Sequence, residues 1–239
     1  MEAMVMATEL APNSRRRTSS AALAIAVAAL CGVSTAQAAD WEFEPRVAMG
    51  ATWLDNVNLA PSGLEESDTI AELRPGFNLV GEGSRLEVEL DYEAQGIWFS
   101  DRSDLDDIYH QARGRGTFEL AERSLFLDGF LRFDQENIDP ARNLANSNLF
   151  DTGNRADTFV YGLSPYHQAQ WGGWAESLVQ FSHQGVRYSN FDDAGFNLED
   201  SSTNTFSAAL GSPSDRRGVS WRVSGSTQTT EFDTAGAFA

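Results

Sequence analysis

The stretch Arg85–Phe99, RLEVELDYEAQGIWF, is two sequences interleaved. One parity reads Leu86, Val88, Leu90, Tyr92, Ala94, Gly96, Trp98, and the other Arg85, Glu87, Glu89, Asp91, Glu93, Gln95, Ile97, Phe99. Alternation of this kind predicts a β-strand with one apolar and one wet face. A helix would scatter the four acids around its cylinder. Fifteen residues is also too long for an ordinary soluble strand, which averages ~5 to 6, and is ample for a membrane-crossing strand, which needs ~9 to 11.

The same period of two runs along the rest of the chain. It predicts strands over Trp41–Trp53, Thr69–Val80, Ile108–Leu120, Leu125–Asp134, Thr158–Trp171, Trp174–Tyr188, Thr203–Gly211 and Arg217–Thr227, nine in all with Arg85–Phe99. Trp174–Tyr188 fits least well, with apolar residues on both parities. Connections alternate in length. Short turns are expected at Gly81–Ser84, Ala121–Ser124, Gly172-Gly173 and Ser212–Arg216, and long loops at Leu54–Asp68, Ser100–Asp107, Gln135–Asp157 and Ser189–Ser202. Short turns on one side and long loops on the other are how outer-membrane barrels are built. The fold class expected is therefore all-β, an antiparallel transmembrane (outer-membrane) β-barrel. A soluble β-sandwich or secreted barrel is the alternative, and strand length and loop asymmetry weigh against it.

Residues 1–38 predict an address. Arg15-Arg16-Arg17 precede an uncharged run, Ala21–Val33, and Ala36-Gln37-Ala38 closes with small residues at the cutting positions, so a secretory signal peptide cut after Ala38 is expected. That leaves residues 39–239 as the barrel domain. Bulky Leu30 before Cys31 argues against a lipoprotein site, and Thr18-Ser19 after the arginines argue against a twin-arginine signal. Cutting would remove the one cysteine, which excludes a disulfide framework from the mature fold.

Composition narrows the function classes. All 17 basic residues are arginine against 35 acids, for a net charge of −18. Losing the leader takes away three arginines and two acids (Glu2, Glu9) and moves the charge to −19. Sequence-independent nucleic-acid binding requires basic patches and is not expected. Outer-membrane lipid and lipopolysaccharide are the expected surroundings, and the oligomeric state is left open.

Two groups of side chains stand out. Trp41, Trp53, Trp98, Trp171, Trp174 and Trp221 sit mostly near the expected strand ends, where aromatic girdles lie in barrels. Glu87, Glu89, Asp91 and Glu93 share one face, with Arg74 on the strand before and Arg113 and Arg115 on the strand after. Loop lengths suggest a register that sets Glu93 near Arg113 and Asp91 near Arg115. These seven residues are the lumen-charge candidates. They could bias permeation, as charge rings do in pores, or fill the interior as a salt-bridge lattice.

Catalytic, metal and cofactor sites are not expected. The acidic loops lack the spaced acids and central Gly of a calcium loop. His110, His167 and His183 are each followed by Gln. Ser164 lies on the opposite strand face from His167, and Gly162–Tyr166 lacks the second Gly of a nucleophile elbow. A barrel hydrolase is thus a remote alternative.

Asp55-Asn56-Val57-Asn58-Leu59-Ala60-Pro61, Asp68-Thr69-Ile70, Arg74-Pro75-Gly76 and Gly83-Ser84-Arg85-Leu86 leading into Asp91-Tyr92 carry a resemblance. Together they resemble the outer-membrane proteins associated with PEP-CTERM/exosortase sorting systems. The resemblance implies a porin-like barrel accompanying an exosortase system and exopolysaccharide export, with exopolysaccharide or secretion machinery as partners and no catalytic residues. A non-conducting docking barrel for secretion partners is the alternative. Members of that family are longer, and nine is an odd strand count where single-chain bacterial barrels have an even one. The C-terminal TTEFDTAGAFA also does not alternate into a closing strand. An N-terminal portion of a larger barrel is therefore expected.

Overall fold

A computed structural model describes residues 39–138, 144, 147–150, 154–189, 198–213 and 218–233. The expected signal peptide lies outside the described residues. Among the described residues nine antiparallel strands follow one another in a single sheet: β1 (Ala39–Leu54), β2 (Asp68–Gly83), β3 (Leu86–Phe99), β4 (Asp107–Ala121), β5 (Leu125–Asn137), β6 (Arg155–Trp171), β7 (Ala175–Ser189), β8 (Asp200–Gly211) and β9 (Arg222–Asp233). Each strand pairs only with its sequence neighbours, so β1 and β9 are open edges and the sheet is not closed. Among the described residues no helix is long and apolar enough to cross a membrane. The one helical element among the described residues is a 3-10 turn at Ser103–Leu105.

All nine expected strands are present, and most are longer than alternation suggested. The weakly patterned Trp174–Tyr188 segment is a full strand, β7, although Trp174 itself sits in the turn before it. The largest displacement is at β9, expected at Arg217–Thr227 and found at Arg222–Asp233. Hydrophobic periodicity misplaced it because β9 is polar on both faces: Ser224, Ser226, Gln228 and Thr230 alternate with Thr227, Thr229 and Glu231. The expected short turn at Ser212–Arg216 is therefore a longer connection. It is closed at its base by Ser212, whose N–H donates to the Trp221 carbonyl at 2.8 Å and whose Oγ accepts from the Trp221 N–H at 3.0 Å. The other three tight turns stand, at Ser84-Arg85, Glu122–Ser124 and Gly172–Trp174.

Prolines mark where the ladder breaks. Pairing of β2 with β3 skips Arg74 and Pro75, and pairing of β6 with β7 skips Ser164 and Pro165, because proline has no N–H to donate.

The register defines two faces. On the apolar face β1 places Trp41, Phe43, Pro45, Val47, Met49, Ala51 and Trp53, continued by Leu73, Phe77 and Leu79 of β2 and by Val88, Leu90 and Tyr92 of β3. Aromatic side chains knit this face together: Phe43, Phe77, Tyr92 and His110 form a chain of ring contacts 5.4 to 6.1 Å apart. Among the described residues nothing covers the β1 part of it, where Val47 is 65% and Met49 81% exposed. The buried apolar core lies instead on the polar face, at the long-loop end. There Val57, Ile70, Ile97 and Phe99 are packed with Leu54, Leu105, Tyr109 and Leu149. Strands β1 to β4 supply Leu54, Ile70, Ile97, Phe99 and Tyr109, and the three loops supply Val57, Leu105 and Leu149.

Candidate functional site

The register assembles the charged face. Pairing of β3 with β4 sets Asp91 opposite Arg113 and Glu89 opposite Arg115. This is two residues away from the expected Glu93–Arg113 and Asp91–Arg115 alignment. The hairpin is offset because its loop is not slack: the Asp106 carboxylate accepts the Phe99 N–H at 2.8 Å and the 3-10 turn shortens the span, so the ladder starts at Ile97–Asp107.

Of the seven lumen-charge candidates, Glu89 and Arg115 form a direct cross-strand ion pair at 2.5 Å, and both side chains are well exposed. Arg74 pairs within its own strand, its Nη2 2.5 Å from Glu72 Oε2. Glu87 lies between Glu82 and Thr117, a like-charge neighbour on one side and a neutral one on the other. Arg113 faces Asp91 on one side and Arg132 on the other and makes no ion pair among the described residues.

Asp91 and Glu93 have a partner that was not among the candidates. Arg46 of β1 donates two hydrogen bonds to the Asp91 carboxylate, at 2.7 and 3.0 Å, and its Nε lies 3.7 Å from Glu93. It reaches β3 across an intervening strand because Gly76 of β2, its direct neighbour, has no side chain. A Cβ on Gly76 would sit 2.6 Å from the Tyr92 carbonyl oxygen and 3.2 Å from Arg46 Nε. The signal in the sequence was the Arg74-Pro75-Gly76 motif, whose glycine opens the path. We expect Gly76→Val to break this two-strand reach and to lower stability by ~2 kcal/mol, since overpacking against backbone forces a shift. The urea midpoint of the folded protein checks it, and an unchanged midpoint would show that Gly76 is dispensable.

Further along, Arg132 pairs with Asp134 at 3.1 Å and with Glu136. The polar face of β1 to β5 is thus an ion lattice. Pairs as exposed as these contribute ~0 to 1 kcal/mol each, so they set electrostatic field more than stability.

Toward the long loops the polar face changes character. The Glu72 carboxylate, nearly buried, accepts from Arg74 and from Gln95 Nε2 at 3.0 Å. Gln95 Oε1 accepts from Asn148 Nδ2 at 2.9 Å, and Asn148 Oδ1 accepts from Arg155 Nη1 at 2.8 Å. This chain ties β2, β3, the β5–β6 loop and β6 together beneath the apolar cluster. Asp68 completes the arrangement: 2% exposed, it accepts from the N–H groups of Thr69, Ser100 and Asp101 and so clamps the β3–β4 loop to β2. Asn56 shapes the β1–β2 loop, its side chain both accepting from the Ala60 N–H at 2.8 Å and donating to the Ala60 carbonyl at 2.9 Å. In the same loop the exposed Glu65 carboxyl is held below the usual carboxylate range, by its own backbone N–H first and by that of Gly63 next.

The six tryptophans are all among the exposed large hydrophobics. Trp41, Trp171, Trp174 and Trp221 lie at the short-turn end of the sheet, and Trp53 and Trp98 at the long-loop end. The histidines lie on the apolar face. His110 Nδ1 is hydrogen-bonded with Tyr92 Oη and His183 Nδ1 with Asn204 Oδ1, both at 2.8 Å, while Ser164 Oγ is bonded with Ser182 Oγ at 2.7 Å on the other face. No family model, curated protein or solved structure matches this chain.

Proposed function

We propose that the chain is wall of an outer-membrane β-barrel in a Gram-negative envelope, its apolar face toward lipid and its charged face toward a lumen. The observation that carries this reading is the slope of the apolar band. Following the register from Trp41 leads through Gly81, Val88, Gly116 and Gly129 to Leu163 of β6. The tryptophan at the short-turn end of β6 is Trp171, eight residues further down. At ~3.3 Å per residue and ~4.8 Å per strand, the line from Trp41 to Trp171 drops ~26 Å across ~24 Å, an incline of about 45°. The same row continues through His183 and Asn204 to Thr229, eight residues above Trp221, an incline of about 35° across the whole sheet. Strands of membrane barrels are tilted ~35 to 45° from the membrane normal, so a flat bilayer would cross this register at the slope on which the tryptophans lie. Trp41 and Trp53, twelve residues apart on β1, would then stand ~30 Å apart along the normal, which matches girdles flanking a ~25 Å apolar band.

The finer reading is a porin-like protein accompanying an exosortase/PEP-CTERM and exopolysaccharide export system, and it rests on the resemblance of the loop and strand-start motifs. The barrel is tested by refolding into lipid vesicles. We expect heat-modifiable migration and protection of the strands from protease; a chain that stays outside the vesicles would remove the reading. The pore role is tested by Glu89→Gln in planar bilayers. Neutralising Glu89 frees Arg115, so selectivity should move toward anions, and unchanged selectivity would reduce the charged face to a structural lattice.

One observation favours the second reading, a non-conducting scaffold. The polar face at the long-loop end is filled by the Val57, Ile70, Ile97 and Phe99 cluster. A lumen stoppered there would hold the loops as a rigid docking surface, and wild-type bilayers would show little current.

A further inference from the structure

The charged half of the polar face, β1 to β5, has a counterpart of different chemistry. From Thr158 to Gln170 on β6, Leu178 to Tyr188 on β7, Ser201 to Gly211 on β8 and Ser224 to Phe232 on β9, the polar-face parity holds no charged side chain. Its middle is amide and hydroxyl: Gln180, Ser182 and Gln184 stand across from Ser207, Thr205 and Thr203. Such groups both donate and accept, and no charge must be stripped of water to use them. At the short-turn end this wall opens into a cavity of about 690 Å³. Gln168, Gln170, Ser124, Glu176, Trp221 and Arg222 are among its lining residues. The β4–β5 turn is held against it by the Gln168 N–H, which donates to the Ser124 carbonyl at 2.8 Å.

We propose that this cavity and the wall above it bind a neutral polyhydroxylated solute, a short oligosaccharide, while ions are handled by the opposite, charged half. Two features converge on that ligand class. The wall offers paired donors and acceptors in rows spaced like those of the sheet, which suits a chain of hydroxyls. The volume falls within the range of small-molecule sites, ~300 to 1,000 Å³. The assignment of this face to a lumen rests on the barrel reading, whereas binding itself does not.

The test is a calorimetric and intrinsic-tryptophan titration of the full chain folded in detergent micelles, with maltotetraose and cellotetraose as neutral probes and trigalacturonate as the charged comparison. We expect at least one neutral probe to bind with a Kd of ~1 mM or tighter. Binding should weaken roughly tenfold in Gln168→Ala/Gln170→Ala, where two amides are lost. Because Gln168 also contacts the Arg123 carbonyl, Gln170→Ala is measured beside it; the Gln170 side chain makes no hydrogen bond among the described residues. Binding by neither neutral probe, equal binding to the variants, or tighter binding of trigalacturonate overturns the proposal. Vesicle insertion is scored separately. A chain that binds sugar without inserting sinks the barrel and keeps the site, and one that inserts without binding sinks the site alone.

Discussion

Val47→Arg should lower the stability of the lipid-inserted protein by ~2 to 4 kcal/mol, the depth-dependent cost of arginine on the lipid face near the bilayer midplane. Val47 lies midway between Trp41 and Trp53 on β1 and is 65% exposed. In a sheet surrounded by water, the same change would remove one exposed methyl-bearing side chain and add a solvated charge, an effect within ~0.5 kcal/mol. The two environments therefore predict results several kcal/mol apart for one substitution. Ala48→Glu provides the control. Ala48 is one residue along, on the opposite face, and stands directly across from Arg74. A carboxylate there gains an opposite-charge neighbour and should be close to neutral. Urea titration of both variants in lipid vesicles, followed by tryptophan emission, is the measurement. Equal midpoints for Val47→Arg and wild type would mean that this face does not meet lipid.

That experiment works because alternation was the legible part of the sequence. A period of two assigns every residue of a strand to a face, and a one-residue error would have placed Val47 with the charges and Ala48 with the tryptophans. The nine strands and their faces were readable for this reason, and β9 was misplaced because Ser, Thr and Gln on both its faces carry no period. The cross-strand register was less legible. It depends on how much of each connection is taken up by local structure, and the Asp106–Phe99 hydrogen bond and the Ser103–Leu105 turn cannot be seen as alternation. A two-residue slip keeps every face intact while changing every ion pair, which is how Asp91 and Glu93 were matched to the wrong arginines. Arg46 was missed because its partners lie two strands away, and direct-neighbour reasoning does not look past Gly76.

The motifs behind the family resemblance now have physical roles of their own. Asn56 and Val57 build and anchor the β1–β2 loop, Asp68 and Ile70 clamp and fill the cluster beneath it, and Gly76 clears the way for Arg46. These roles are architectural. They do not by themselves name a solute. The uncharged wall of β6 to β9, on which the oligosaccharide proposal rests, is marked by no motif, because Ser, Thr and Gln are ordinary in any strand.

Ile97→Ala is expected to cost ~3 kcal/mol, at the middle of the range for removing a buried aliphatic side chain, and to do so at the long-loop end alone. Ile97 is fully buried against Val57, Ile70 and Phe99, and it sits on the strand parity that elsewhere carries Glu89, Asp91 and Glu93. An isoleucine on that parity makes sense only if loops cover it. Truncation leaves a cavity between the β1–β2 and β3–β4 loops, while Asp68 still holds the Ser100 and Asp101 amides. The first readout is hydrogen exchange at those two amides, which should accelerate before any amide in the middle of β3. The second is current. If this cluster stoppers a lumen, Ile97→Ala should pass more current than the wild type, with larger fluctuations as the loops open and close. Faster exchange at Ser100 and Asp101 with unchanged current would show that the loops loosen without guarding a conduction path. Slow exchange in the variant would mean that the clamp formed by Asp68, and not the apolar cluster, holds the mouth closed.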